Sequence, residues 1–409
     1  MDYLTRLLVS MLDEVAAITD EPGRITRTFL SPATEPVLKV VGSYMQDFLL
    51  EPQVDAVGNL IGRRECGRAK AKTLILGSHL DTVRNAGKYD GPLGVLLPLV
   101  ALHELGRRGI VLPFDVEVVG FSEEEGVRFA SAYLGSKAYC GRLTPRDLLL
   151  KDGAGITVRQ AIEQFSGPFT LPKPAHRRAD LLGYVEVHIE QGPVLEREKL
   201  AVGVVSAIAG QSRFKLTWTG RAGHAGTTPM ALRRDALAAA AEFAVGIEAI
   251  ARDTRGLVAT IGVLTVAPGA ANVIPDRVEH TLDVRHADDR VRRRALLAIG
   301  RLATRIAGRR GVKRTWQRTQ DNGAVACARP LTAVLERSVR AVQGRSLSLV
   351  SGAGHDGVVM ASLCPVAMLF VRCRDGLSHH PDEYASPRDL KVALDVMIDF
   401  LQRLAAEHS

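Results

Sequence analysis

Residues 77–94 read GSHLDTVRNAGKYDGPLG. Just before them, residues 72–76 (KTLIL) form a short apolar run that predicts a buried strand. Ser78, His79 and Asp81 therefore fall at the carboxyl end of a strand, where open α/β sheets bind ligands. An imidazole and a carboxylate two residues apart suit a metal ligand and its partner, with the carboxylate taking the other ring N–H and fixing the tautomer. Asp90 follows a glycine-bearing loop, in YDG, and can return to the same metal. On its own the HxD pair fits a polar turn better, so the decision rests on the rest of the chain.

Working outward, residues 1–50 predict two helices around a Gly/Pro/Ser turn region, and residues 54–61 a weakly alternating strand. Residues 94–105 (GVLLPLVALHEL) predict a helix behind the opening loop, with Pro98 tolerated near its first turn. Strands are expected at 115–121, 184–189 and 367–371, and they run into SEEEG, EQGP and GLSHHPDE. Strands alternating with helical stretches imply an α/β domain with a mainly parallel sheet. The middle differs: strand 213–219, helix 232–250, strands 260–266 and 278–285, helix 288–306 and strand 312–318. That β-α-β-β-α-β order is ferredoxin-like. The expected division is 1–211 and 327–409 for the α/β domain, with 212–326 inserted as an α+β domain.

A chain of 409 residues with 46% apolar and 24% charged residues is globular, with room for one large or two ordinary domains. The net charge of +8 comes partly from Arg290, Arg292, Arg293 and Arg294, then Arg309, Arg310, Lys313 and Arg314. These clusters lack interleaved aromatics and read as solvated faces, which argues against nucleic-acid binding. A positive field can still draw in a small anionic substrate. Five cysteines with no CxxC spacing predict reduced thiols and a cytoplasmic setting. No signal-peptide order is visible. The long apolar stretch 236–251 carries Glu242 and Glu248, so it predicts a core helix and no membrane span.

The predicted strand ends thus carry His79/Asp81, Glu123/Glu124/Glu125, His188 and His379/His380. Each alone is weak, since a lone strand histidine is usually structural and a triple glutamate usually a solvated turn. Together they form a nitrogen-and-oxygen ligand set for Zn²⁺, Mn²⁺, Co²⁺ or Ni²⁺. Two ions bridged by a carboxylate suit metal-assisted hydrolysis.

The motifs GSHLDTV, YDGPLGV, FSEEEGVRF, HIEQGPVLE, GRAGHAGTTPM, NVIPDRVEHTLDVRH, SGAGHD and GLSHHPDE occur in this order. Together they resemble the di-metal amidohydrolases of the aminoacylase and carboxypeptidase superfamily. More narrowly, they resemble the branch of allantoate amidohydrolase, N-carbamoyl-L-amino acid hydrolase and β-ureidopropionase. The resemblance runs from Arg6 to the end of the chain. It implies two divalent ions, Zn²⁺ or Mn²⁺ first, with Co²⁺ or Ni²⁺ compatible. His79 and His379 would be terminal ligands on different ions, Asp90 the bridge, and Glu125 and His188 the remaining ligands. Glu124 would be the general base, Asp81 a further catalytic residue and Glu123 structural, while the residues by themselves leave open which of Glu124 and Glu125 binds metal. A ligand swap from His379 to His380 stays open.

The resemblance also implies that the insert is a dimerisation and lid domain. His224 would reach a partner subunit's active site and stabilise an oxyanion. Gln191, Gln211, Asn272 and Arg285 would contact substrate, with the backbone of Gly354, and Arg285 would grip a substrate carboxylate; the alternative is that Arg285 pairs with Asp283 or Asp288 and only stabilises the insert. The implied enzyme is a homodimeric hydrolase of ureido (N-carbamoyl) C–N bonds. The segment FVRCRDGLSHHP favours allantoate over N-carbamoyl-L-amino acids and β-ureidopropionate. A dipeptidase or aminoacylase lacks HIEQGP and HAGTTPM, and a non-catalytic metal- or peptide-binding scaffold would have lost a ligand or the base.

Overall fold

The computed structural model describes residues 1–408. They form two compact units, Met1–Ser206 with the chain from Ala326 onward, and Ala207–Val325.

In the first unit, four parallel strands make the middle of a mixed sheet, in the spatial order Asp115–Phe121, Thr73–His79, Leu181–Ile189 and Val366–Val371. Antiparallel strands flank them, Leu60–Arg64 and then Glu51–Val54 on one side and Val202–Ile208 on the other. Thr73–His79 and Asp115–Phe121 are buried at every position. Both faces of a parallel sheet are covered, so its strands read as apolar runs without alternation. The helix Pro92–Arg107 is apolar on all sides, and Leu93, Leu96, Leu97, Leu99 and Val100 are fully buried. A helix of that composition belongs inside, since each buried leucine contributes about 1.5–3 kcal/mol. Tyr3–Ala17 and Pro387–His408 pack against it with their apolar stripes.

Two readings of this unit need correction. Residues 54–61 are not one strand. Asp55 Oδ1 accepts the amides of Val57 at 3.0 Å and Asn59 at 2.9 Å, and this turn splits the segment into the arms of a hairpin. Local side-chain-to-backbone bonds of Asp outweigh a weak alternation. Pro98 is also not in a first turn, because the helix already starts at Pro92. Pro98 has no N–H for the Gly94 carbonyl, a cost of about 3 kcal/mol that burial of the surrounding leucines offsets.

In the second unit, an antiparallel sheet runs Lys313–Asn322, Gly210–Thr219, Arg277–His286, with Val258–Thr260 and Leu264–Ala267 both pairing on the outer side of the last. The helices Ala236–Asp253 and Asp289–Arg310 pack on one face, bringing Phe243 and Ile299 into one core with Trp218 and Leu282 of the sheet. This is the ferredoxin-like order of elements. The single strand expected at 260–266 is broken, because Thr281 bonds Val263 through both its amide and its hydroxyl, each at 3.1 Å. His280 is a satisfied core histidine: Trp218 Nε1 donates to its Nε2 at 2.9 Å, and burial lowers its pKa.

Because the four central strands of the first unit are parallel, their carboxyl ends lie along one edge of the sheet. The strand that leads to Glu123, Glu124 and Glu125 is anchored midway at buried Glu117. That carboxylate accepts from Arg63 Nη1 at 3.0 Å and Tyr139 Oη at 2.7 Å, and its two oxygens lie 3.0 Å from His176 Nε2. Burial alone would raise the Glu117 pKa, but His176, Tyr139 and Arg63 hold it below the ordinary value. A depressed carboxylate stabilises the fold above its unfolded pKa, and that stability is lost as pH falls through the folded pKa. Glu117→Gln should therefore be less stable than wild type at neutral pH. Its urea midpoint should fall less between about pH 5 and pH 3; parallel acid limbs would remove Glu117 from the explanation.

Candidate metal centre and active site

The edge described above gathers groups from distant parts of the chain. His79 is the last residue of its strand and His188 the penultimate residue of its own. Glu123, Glu124 and Glu125 follow Phe121 after a single residue, Ser122, and His379 comes after Val371 by way of a loop. Asp90 reaches them on the loop before the buried helix, where Gly91 has φ 86° and a Cβ would lie 2.5 Å from the His79 ring. Only glycine passes there.

Asp90 is the common partner. Its Oδ1 lies 3.3 Å from His79 Nε2 and 3.1 Å from His188 Nε2, and its Oδ2 lies 3.2 Å from His379 Nε2. Glu125 Oε1 is 3.6 Å from His379 Nε2. His79, Asp90 and His188 form one group able to hold an ion, and Asp90, Glu125 and His379 another. His79, Glu124 and Glu125 also converge. The Nδ1 atoms of His79 and His188 face backbone carbonyls, Asp81 O at 2.9 Å and Ile189 O at 3.0 Å. With the proton on Nδ1, both Nε2 lone pairs point at Asp90, the orientation used by metal-bound histidine. The His379 side chain is 48% exposed, whereas Asp90 and Glu125 are 4% and 8% exposed, so solvent reaches the group past His379. His379 and Gln191, which touch across this opening, both have φ 55°, a strained region for non-glycine residues.

Electrostatics follow from burial and crowding. Burial works against charge on His79, yet Asp81 and Asp90 raise its pKa well above normal. Burial likewise opposes charge on His188, and Asp90 raises it. Burial would raise Asp90, but His188, His379 and His79 hold it well below the carboxylate range. Glu125 is pushed up to about 7 by burial and then by Asp90, against His79 and His379. Glu124 is raised well above normal by burial, with Glu125, Asp356 and Asp81 adding to it and His79 opposing. Imidazole lone pairs and carboxylate oxygens that converge repel unless protons or cations lie between them. Nitrogen and oxygen donors in groups of three fit a divalent transition ion.

These features agree with comparisons to known proteins. A family model for Peptidase family M20/M25/M40 matches residues 75–403. The chain belongs to that family. It is 41% identical to N-carbamoyl-L-amino acid amidohydrolase of Geobacillus stearothermophilus, over 96% of this chain and 97% of that one. It is 37% identical to allantoate deiminase 2 of Glycine max, over 97% and 89%. Among solved structures, an amidase of the hydantoinase/carbamoylase family from Burkholderia multivorans matches with TM-score 0.92 and 32% identity, over 98% of both chains. The M20 chain is accordingly a hydrolase of carbon–nitrogen bonds other than peptide bonds. No helix among the described residues is long and apolar enough to cross a membrane.

Other expected residues of this M20 hydrolase fall in several places. Asp81 corrects the HxD reading. Its carbonyl, rather than its carboxylate, takes the nearer contact with His79 Nδ1, and the carboxylate stands 3.4 Å from that atom. The carboxylate instead accepts the amides of Glu124 at 2.9 Å and Glu125 at 3.2 Å, and so aims the glutamate turn. Glu123 is fully buried, its side chain bonded to the Gly126 amide. Gln191 Nε2 donates to Asp90 Oδ2 at 2.8 Å, while its Oε1 is buried without a partner. Gly354 approaches Tyr133, where a Cβ would lie 1.9 Å from the hydroxyl. Of the two adjacent histidines, His379 joins the cluster and His380 turns to Asp382.

Gln211, His224, Asn272 and Arg285 belong to the Ala207–Val325 unit. Exposed His224 lies beside Asn272, whose carbonyl accepts the Ala225 amide at 2.9 Å. Arg285 makes the Asp283 pair that the sequence left open as its alternative partner. Its Nε and Nη2 already grip Asp283 at 2.9 and 2.8 Å, and Gln211 Nε2 reaches the same carboxylate at 2.7 Å.

Sequence reading missed Ser378 and Glu383, although both lie in the quoted GLSHHPDE, and it missed Glu186 behind the cluster. Glu186 accepts from Ser78 Oγ at 2.9 Å and from the Gly357 amide at 3.2 Å. Buried polar residues within or beside a motif were the available signal.

The Gly91 contact yields a test. Gly91→Ala adds both a strained φ and a clash with the His79 ring, whereas Gly109→Ala, at φ 68° in open space, adds φ strain alone. Gly109→Ala should cost about 1–2 kcal/mol in urea unfolding. Gly91→Ala should cost more, and it alone should weaken metal uptake. Equal costs with normal uptake would deny the close approach of this loop to His79.

Proposed function

We propose that the chain hydrolyses a ureido C–N bond in a small carboxylate-bearing molecule, using two divalent ions. The carrying observation is Asp90, whose Oδ1 faces His79 and His188 while Oδ2 faces His379. In this reading His79 and His188 would hold one ion and Glu125 and His379 the other, with Asp90 a ligand available to both. Zinc or manganese suits the ligands, and cobalt or nickel would also fit. Such ions would supply Lewis acidity and acidify a water.

The protein's own residues carry the rest. Glu124 is not in the Asp90–Glu125–His379 group and is aimed by the Asp81–amide bond. It takes the proton of the attacking water and passes it to the leaving nitrogen. The unpaired Gln191 Oε1 offers an acceptor to a ureido N–H. His224, in a second copy of the chain, supplies an oxyanion donor across a homodimer. Asn272 and the Gly354 backbone contact the substrate. A substrate carboxylate would meet Gln211 and Arg285 by taking the place of Asp283 between them. We place the enzyme in the cytoplasm.

Within the ureido class, FVRCRDGLSHHP favours allantoate. The relative at 41% identity favours the second reading, an N-carbamoyl-L-amino acid. Metal-reconstituted protein should be offered allantoate, N-carbamoyl-L-amino acids, β-ureidopropionate and a dipeptide. Ammonia release should appear with allantoate foremost and cease after chelation. Turnover of the dipeptide alone would refute the ureido reading.

Glu124→Gln should retain both ions by elemental analysis and lose roughly 10²–10⁴-fold in kcat. Glu125→Gln should lose metal. The opposite pattern would exchange the two roles.

A further inference from the structure

We infer that Glu383 is a positioning residue, one that supports Asp90 Oδ2 on its side toward His379 and thereby the ion site between Asp90, Glu125 and His379. This rests on the two-ion reading above. Glu383 is only 5% exposed and, among the described residues, forms no ion pair with any lysine or arginine. A buried carboxylate without a cation is costly, so its hydrogen bonds show what it is for. Its Oε1 accepts the amides of Tyr89 at 2.9 Å and Asp90 at 3.1 Å. Its Oε2 and Asp90 Oδ2 share the single hydroxyl proton of Ser378, whose Oγ lies 2.9 Å from the first and 2.7 Å from the second. Glu383 thus reaches Asp90 twice, at its backbone and, through Ser378, at its side chain.

The loop before Asp90 fits this contact closely. At Gly87 a Cβ would lie 2.3 Å from the Cβ of Glu383, so the chain crosses directly over the glutamate stem. The two segments stand 293 residues apart in sequence, and they carry Asp90 and His379 respectively. His79 and His188 are held by central strands and do not need this link. Ser378 and Gln191 together keep Oδ2 turned toward His379. Without Glu383, Oδ2 loses the Ser378 support that holds it toward His379, while Oδ1 keeps facing the strand-held His79 and His188. The loss should therefore fall on one ion and spare the other.

The test uses full-length apoprotein titrated with Mn²⁺ or Zn²⁺ against a chromophoric chelator, with apoprotein Tm measured in parallel. His379→Ala identifies the binding step of its group. Glu383→Ala should weaken that step about 10–100-fold, the range for lost outer partners of a ligand, and leave the other step within about threefold. Glu383→Gln keeps an oxygen for the two amides and should lose less than about tenfold. Ser378→Ala, which cuts only the side-chain link, should weaken the same step. Unchanged affinities in Glu383→Ala would overturn the inference. So would an equal loss at both steps that tracks a lower Tm, which marks a purely structural clamp. If Glu383→Ala does not fold, normal binding by Ser378→Ala overturns it. Uptake of a single ion by wild type would refute the two-ion reading itself, before any variant is compared.

Discussion

The Asp90 carboxylate faces three histidines with its two oxygens, and the rest of the first unit can be understood as what that requires. Each Nε2 lies 3.1–3.3 Å from it. In a buried, weakly polarisable setting such contacts are strong when a proton or cation lies between the donors and repulsive when none does. The histidine protons are steered to Nδ1 by the carbonyls of Asp81 and Ile189, which leaves lone pairs to face the carboxylate. This arrangement is therefore built around positive charge.

Holding so many acceptors together needs rigid walls. The fully buried strand that carries His79, the fully buried strand beside it and the mostly apolar, buried helix behind Asp90 provide them. Several of the surrounding carboxylates are tied to backbone amides: Asp81 to Glu124 and Glu125, Glu186 to Gly357, Glu383 to Tyr89 and Asp90. Amides give directed partial positive charge without adding a side chain that would compete for the site.

The inserted unit shows a related device. Gln211, Arg213 and Arg285 all donate to Asp283, and they depress its pKa against the opposing effect of burial. The same three donors suit a planar carboxylate of any origin. An internal carboxylate keeps the donors ordered, and any incoming anion must compete with it.

Much of the architecture was legible because it depends on short-range pattern. The runs KTLIL and DVEVVGF are strands, GVLLPLVALHEL is a buried helix, and the insert has its β-α-β-β-α-β order. Where local chemistry competed with pattern, the reading failed, as at Asp55 and Thr281. The histidines and carboxylates at strand ends were visible as residue types, since parallel strands must bring their carboxyl ends to one edge. Their partners were not. Whether the carbonyl or the carboxylate of Asp81 meets His79, which of His379 and His380 turns inward, whether Arg285 is engaged by Asp283, and that Glu383 reaches Asp90 across 293 residues depend on ångström-scale packing between segments distant in the chain. A linear sequence determines which groups are present and on which elements they ride. Only the tertiary structure decides which lone pair faces which proton, because that choice is made by side-chain rotation within a crowded, solvent-poor space.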